Sequence, residues 1–317
     1  MAWEIYRWDD AGAPTLNGRA GSMIGVLDAV LVNGYGVKSA AGWTKAFSGT
    51  NVAVYRQGTG SNQFYLRVDN STNAVASGVI GYETMSNVNT GTGPFPTDGQ
   101  VSGGLFMRQS ASTDATARAW LIAADEKRFF FWVNSDNAAT SGLSTAAGVP
   151  AMYFGDIFSD VAGDAYHTVI IASTNTPINS HQLAMQTTSI GSAIPGHFMA
   201  RASSQLGGSI QVLKTCTNMV SSNPTIGAAG LGYPDPATTG LVLLPIIMQE
   251  FISANLTIRG RLPGLWGVAH SNTAGNPGDT LSGSVSGGLN GKTFVILDVA
   301  AGSGRGRLAL ETSNTIS

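Results

Sequence analysis

The residues that come closest to a phosphate-binding motif are Gly291-Lys292-Thr293. A phosphate-binding loop has a first glycine five residues before the glycine that precedes its lysine, and a helix follows whose amino end faces the phosphate. Ser286 stands at the position of that first glycine, and Thr293–Leu297 reads as a strand. We therefore predict a hairpin turn here.

A second glycine cluster contains Gly302, Gly304 and Gly306. Its spacing differs from that of a dinucleotide-binding loop, and the strand-like segment Arg307–Glu311 follows it where such a loop would have a helix. Glycine adopts positive φ at least cost, so these residues favour a tight β-turn.

The histidines and the cysteine form no metal-binding pattern. No two histidines have the i, i+2 or i, i+4 spacing of a local zinc motif; they are His167, His181, His197 and His270. Cys216 is the only cysteine, which excludes an intrachain disulfide, and we expect it to be a buried core thiol. We predict no metal, no cofactor and no catalytic residue.

The carboxylates and serines also give little support to catalysis. Asp9-Asp10 and Asp125-Glu126 are adjacent in sequence, and we expect them to be solvated at turns, whereas glycoside hydrolysis needs two carboxylates across a cleft. No Gly-x-Ser-x-Gly nucleophile motif occurs. The segment Asn134–Asn137 has oxygen ligands for calcium, but it lacks the twelve-residue loop of a calcium-binding hand.

Aromatic residues leave a carbohydrate-binding surface as an alternative. Five of them lie in or beside apolar runs, namely Trp43, Trp120, Trp132, Tyr153 and Trp266. Packing in a core or an interface is the commoner fate of such residues. Aromatic residues that are exposed would still allow host glycan as an alternative partner.

Composition favours assembly. Only 11% of the 317 residues are charged, against about 25% in ordinary soluble chains. Glycine occurs 41 times among the 317 residues, which is well above its usual share of about 7%. The centres of protein interfaces are likewise poor in charge, so we expect neighbouring subunits to cover much of this surface. A secreted β-protein with a neutral polar surface is the alternative.

Charge and hydropathy argue against several classes of partner for this chain. The net charge of -2 provides no field to attract nucleic acid, and the densest basic group is only Arg259, Arg261, Arg305 and Arg307. The apolar run Leu241–Met248 is far shorter than the roughly 20 residues of a membrane helix. Met1–Asp10 does not resemble a signal peptide. We expect no direct nucleic-acid binding, no membrane insertion and folding in a reducing cytoplasm.

The elements that position these residues are mostly strands. One amphipathic helix is predicted near 22–33, with Ser22 as its N-cap and Asn33-Gly34 as its end. Short β-type runs follow, separated by turn residues; they are Val52–Arg56, Gln63–Val68, Val79–Glu83, Leu105–Met107, Ala119–Ala123, Arg128–Val133, Met152–Asp156, His167–Ser173, Gly208–Lys214, Leu241–Ile247, Leu256–Leu262, Thr293–Leu297 and Arg307–Glu311.

This pattern predicts a mainly β protein of sandwich or barrel-like domains with long Gly/Pro loops. The long loops are expected at Asn87–Gln100 and Ser221–Thr239. We divide the chain into an N-terminal β-rich domain (1–145), a middle β-rich region that is a candidate insertion (146–239) and a small C-terminal β unit (240–317).

Two stretches carry a resemblance to a known family. The first is NGYGVKSAAGWTKAFSGTNVAVYRQGTGSNQFYLR at Asn33–Arg67, continued by GYETMSNVNTGTGPFPT at Gly81–Thr97. The second is TIRGRLPGLW at Thr257–Trp266, with GKTF at Gly291–Phe294. Together they resemble uncharacterised virion-associated structural proteins of tailed bacteriophages. The resemblance covers about half of the chain and implies no catalytic residues.

The resemblance implies a non-enzymatic component of the virion, in the tail or head–tail region. Such a protein is assembled in the host cytoplasm with copies of itself and with other virion proteins. The alternatives are a capsid decoration or receptor-binding protein that contacts host glycan, and a polysaccharide hydrolase.

Overall fold

The computed structural model confirms a mainly β fold with one short α-helix. It describes residues 2–71, 74–143, 150–174, 196–215, 241–252, 255–268, 277–282, 289, 291–298, 307–314 and 316–317. The strands within these residues are, in chain order, β1 (Glu4–Arg7), β2 (Thr44–Gly49), β3 (Val52–Arg56), β4 (Tyr65–Asp69), β5 (Ala76–Asn87), β6 (Thr90–Phe95), β7 (Leu105–Arg108), β8 (Trp120–Ala124), β9 (Arg128–Val133), β10 (Ala151–Asp156), β11 (Phe158–Ser159), β12 (Thr168–Ile171), β13 (His197–Met199), β14 (Ile210–Thr215), β15 (Leu243–Ile252), β16 (Asn255–Val268), β17 (Thr280–Ser282), β18 (Thr293–Asp298) and β19 (Arg307–Glu311).

The described strands form two antiparallel sheets. The smaller sheet has the order β2-β3-β4-β5-β6, and β7 pairs with β5. The larger sheet has the order β1-β8-β9-β10-β12-β13-β14-β15-β16-β19-β18-β17, and β11 pairs with β16. This arrangement is sandwich-like, as predicted from the spacing of the strands. The larger sheet draws on all three predicted regions of the chain, whose division stays a prediction.

The N-terminal helix occupies the predicted segment. It is α-helical over Ser22–Leu27 and continues as a π-helical stretch over Asp28–Asn33. The prediction of Ser22 as N-cap is wrong, because Gly21 is the cap residue and Ser22 Oγ accepts a hydrogen bond from the backbone of Asn17. Gly34, with φ of 76°, ends the helix as predicted.

The core consists of apolar layers on both sides of the central strands. In β9, Phe129 and Phe131 pack with the helix and the smaller sheet, whereas Phe130 and Trp132 pack with residues of β15, β16, β18 and β19. Successive side chains of a strand point to opposite faces, so both faces of β9 are covered. Each large apolar side chain buried in this way contributes roughly 1.5–3 kcal/mol.

The strand predictions are confirmed at every predicted run, with ends shifted by a few residues or, for β5, β15 and β16, with longer strands. The prediction of a loop over Asn87–Gln100 is wrong, because β6 lies inside it and pairs with β5. Pro94 is tolerated in β6 because β6 is an edge strand. Gly91 is needed in the same strand because a Cβ there would lie 2.7 Å from the Thr84 carbonyl oxygen. The predicted loop Ser221–Thr239 lies outside the described residues.

Helices in the described part of the chain are all too short, or too polar, to cross a lipid bilayer.

Candidate functional site

A cleft lined by five titratable side chains lies where three chain segments meet. It has a volume of about 560 Å³. One wall is the loop between β3 and β4, another is the turn between β8 and β9, and the third runs from the end of β10 to the start of β12. Its lining includes Asn62, Lys127, Arg128, Asp156 and His167. These five residues come from segments far apart in sequence.

Gly155 allows two of these walls to meet. It pairs with Arg128 in the β9–β10 ladder and has φ of 140°, a conformation that side-chain-bearing residues rarely adopt. A Cβ at this position would lie 2.4 Å from Arg128 Cα. Glycine is therefore required for Asp156 and Arg128 to lie on the same cleft.

Asp156 is the central hydrogen-bond acceptor of the cleft floor. Its Oδ1 accepts from Thr168 Oγ1 at 2.6 Å and from Gln57 Nε2 at 3.0 Å. Its Oδ2 accepts from the backbone N–H of Asn62 at 3.0 Å and lies 3.5 Å from His167 Nε2. Burial alone would raise the pKa of Asp156, but its hydrogen bonds with His167, Thr168 and Gln57 outweigh burial and lower it.

His167 is held between two acceptors. Its Nδ1 contacts the backbone carbonyl oxygen of Asp164, and its Nε2 faces Asp156. Burial alone would lower the pKa of His167, but the Asp156 carboxylate and the Asp164 carbonyl oxygen outweigh burial and raise it. The pair is therefore an imidazolium–carboxylate contact over a wider pH range than a free histidine would allow.

Behind the cleft, Arg259 joins two buried carboxylates. Its Nε and Nη2 donate to Asp164 at 2.6 and 2.8 Å, and its Nη1 donates to Glu250 at 2.7 Å. All three side chains are at most 1% exposed. Glu250 also accepts from the backbone N–H of Ser203 at 3.0 Å. This network connects the cleft segment to the β15–β16 hairpin.

The predicted phosphate-motif residues form a turn and a strand. Gly291 has φ of 80°, β18 starts at Thr293, and Lys292 Nζ donates to Glu311 at 2.8 Å. The predicted hairpin-type turn is therefore confirmed at Gly291. The glycines at 302, 304 and 306 lie outside the described residues, as do Cys216, His181, His270 and Arg305.

The other titratable candidates lie apart from one another. His197 is buried in β13, away from the cleft that contains His167. Asp136 of the calcium candidate lies 3.5 Å from Arg108. No group of three or more potential metal ligands occurs within the described ranges. Arg259 is buried in its ion pairs, so it contributes no charge to a basic surface.

The expected solvation of the paired carboxylates is only partly right. Asp9 is half-exposed and binds Arg7. Asp125 is 7% exposed and accepts from the backbone N–H groups of Lys127 and Arg128, because it closes the β8–β9 turn from inside. Burial raises the pKa of Asp125 despite the nearby Arg128.

The aromatic residues pack in the core, as their positions in apolar runs indicate. Trp43, Trp120, Trp132 and Tyr153 are almost fully buried, and Trp266 is half-buried beside a third apolar cluster. Trp43 stacks edge-on against Phe129. The expectation that residues in apolar runs pack inside the protein is therefore confirmed for four of these five residues.

The sequence pattern does not predict this cleft as a site. Its clearest sequence signal is the run Asp125–Arg128, four consecutive charged residues in a chain that is only 11% charged. The polar partners Gln57, Asn62 and Asp156 carry no spacing pattern, since the fold brings them together.

Comparison with protein-family models and with curated protein sequences finds no match to this chain.

Proposed function

We propose that this chain is a non-enzymatic structural component of a tailed-bacteriophage virion, in the tail or the head–tail region. It is made in the host cytoplasm and assembles there with copies of itself and with other virion proteins. The observation that supports this role most strongly is an exposed apolar face at the end of the β15–β16 hairpin.

This hairpin face consists of Phe251, Leu256 and Ile258, which are 64%, 38% and 51% exposed. The strand register pairs Phe251 with Leu256 and Gln249 with Ile258. Directly paired residues, and residues two apart on one strand, lie on the same face of a hairpin, so the three apolar side chains form one surface. Exposed apolar side chains that are contiguous in this way are typical of protein contact sites.

The hairpin face is presented on a fixed support. Glu250, next to Phe251, is buried and bound by Arg259 and by the backbone of Ser203. A contact surface whose backbone is already ordered loses less conformational entropy on binding.

The occupant that we propose for the hairpin face is a second copy of this chain. Only 11% of the residues are charged, so the surface of a neighbouring copy is itself poor in the charges that oppose apolar contact. Virion subunits repeat by symmetry, and each copy then offers the same hairpin to the next.

The alternative is a capsid decoration or receptor-binding protein that contacts host glycan. Four of the five aromatic residues in apolar runs are almost fully buried, so we infer that such binding would use the polar cleft. A polysaccharide hydrolase has less support, because Asp156 and Asp164 in the cleft are each engaged by several hydrogen-bond donors.

Mass spectrometry of purified particles tests the proposal. Phage carrying this gene is propagated, and its particles are purified and quantified for the wild-type chain, for Phe251→Ser/Ile258→Ser and for Val37→Ser. Val37 is a matched control because it is 96% exposed and lies outside the hairpin.

We expect the wild-type chain and the Val37→Ser variant in the particles at equal copy number. Removing two central apolar contacts is expected to reduce incorporation of the double variant about tenfold or more. Absence of the wild-type chain from the particles would refute the virion role. Equal incorporation of the double variant would refute the hairpin face as the contact.

A further inference from the structure

Arg128 has a buried guanidinium group whose hydrogen-bonding capacity is only partly used. The side chain is 5% exposed and lines the cleft. Among the described residues, its Nε and Nη1 atoms have no hydrogen-bond partner. A buried cation without hydrogen bonds is costly and therefore rare in folded proteins, where such groups are paired.

The nearest carboxylate does not fill this role. Asp125 Oδ1 lies 3.5 Å from Arg128 Nε, and the same oxygen already accepts from the backbone N–H groups of Lys127 and Arg128 at 2.8 and 3.0 Å. The guanidinium carbon instead lies 5.1 Å from the centre of the Phe158 ring. The ring holds the guanidinium plane in position without using its N–H groups.

The two acidic residues of the cleft lining are already bound. Asp156 accepts from Thr168, Gln57 and the backbone of Asn62, as described above. Asp164 is bound by Arg259 from behind the cleft. Lys127, by contrast, lines the cleft next to Arg128, and no ion pair involves it in the described part of the chain. The cleft thus has spare cationic donors and no spare carboxylate.

We propose that this cleft binds a small ligand through an oxyanion group, a carboxylate or a phosphate, which Arg128 and Lys127 contact directly. Arginine and lysine both donate charge-assisted hydrogen bonds to such anions. The cleft volume of about 560 Å³ is large enough for a ligand the size of one or two sugar units. Asn62 and His167, which also line the cleft, offer polar contacts to the rest of the ligand. The inference is independent of the virion role.

Calorimetric titration of the purified full-length chain tests this site with three probes. Glucuronate represents a sugar carboxylate, inorganic phosphate represents a phosphate group, and glucose is the neutral counterpart of glucuronate. Each is titrated into the wild-type chain, Arg128→Gln, Lys127→Gln and the control Arg7→Gln. Arg7→Gln removes the same charge as the two cleft variants, but Arg7 lies outside the cleft and is bound to Asp9.

We expect glucuronate or phosphate to bind the wild-type chain and Arg7→Gln equally, and to bind Lys127→Gln and Arg128→Gln about tenfold or more weakly. Binding by glucuronate alone would identify a carboxylate ligand, and binding by phosphate alone a phosphate ligand. The proposal is overturned if neither anion binds, if glucose binds as tightly as glucuronate, or if the two cleft variants retain wild-type affinity.

Denaturant unfolding of the same variants separates binding from folding. Because Nε and Nη1 of Arg128 make no hydrogen bond among the described residues, we expect Arg128→Gln to unfold at the wild-type denaturant concentration or above it. Lys127→Gln, at a partly exposed position of the turn, should also unfold like wild type. Loss of anion binding together with loss of folding in both variants would overturn the assignment.

Discussion

Arg259 Nε donates to Asp164 Oδ2 at 2.6 Å, and both side chains are shielded from solvent. Asp164 is in the segment that lines the cleft, whereas Arg259 belongs to the hairpin that carries the exposed apolar face. This ion pair therefore joins the two surfaces to which we assign functions. Arg259 also donates to Glu250, so the arginine has two carboxylate partners.

Replacing Arg259 with methionine should destabilise the protein strongly. The variant leaves two buried carboxylates without their cation, and breaking a buried pair in this way costs about 3–5 kcal/mol. The measurement is the free energy of unfolding in guanidinium chloride. Arg261→Met, two residues along the same strand, is the control, because Arg261 is exposed and its guanidinium group lies over the Phe158 ring. Equal losses in both variants would contradict the assigned role of the buried network.

The contact between His167 and Asp156 should make stability depend on pH. The raised pKa of His167 means that its contribution is fully present below its unfolded value of 6.5 and is lost as pH rises through the higher folded value. The lowered pKa of Asp156 means that its contribution is present above 3.8 and is lost as pH falls through the folded value.

The variant His167→Gln tests this dependence. We expect the difference in unfolding free energy between wild type and variant to be larger near pH 5, between the two unfolded values, than near pH 9, where the imidazole is neutral. The measurement is urea unfolding of both proteins at the two pH values. A difference that is the same at both would show that the ion pair contributes nothing.

Gly155→Ala should disturb the cleft through the backbone. The added methyl group would lie 2.4 Å from Arg128 Cα, and its φ of 140° is strained for alanine. We expect a loss of more than about 1 kcal/mol in unfolding free energy. Gly99→Ala is the control, because its Cβ would meet no atom within 4 Å. A loss no larger than that of the control would contradict the requirement for glycine at 155.

The fold could be predicted from the sequence where apolar runs and turn residues agree. The run Arg128–Val133 predicts a strand, and its five consecutive apolar residues are buried because both faces of β9 are covered. β6 was missed since Pro94 and three glycines within Asn87–Gln100 are typical of a loop, and only pairing with β5 makes that segment a strand. Tertiary pairing overrides local preference there.

The candidate site was harder to predict than the fold. Asn62, Lys127 and Asp156 are separated by many residues, and no local spacing links them. Their proximity depends on the register of β9 with β10 and on the turn geometry at Gly155. Sequence alone identifies the charged run Asp125–Arg128 but cannot show that Nε and Nη1 of Arg128 lack hydrogen-bond partners among the described residues.

We propose that this chain is a virion subunit whose hairpin face contacts another copy of itself. A reconstruction of the phage particle by electron microscopy tests it most directly. We predict density for the chain in the tail or head–tail region, with Phe251, Leu256 and Ile258 covered by a neighbouring copy. Particles without density for this chain, or with those three side chains exposed to solvent, would contradict the claim.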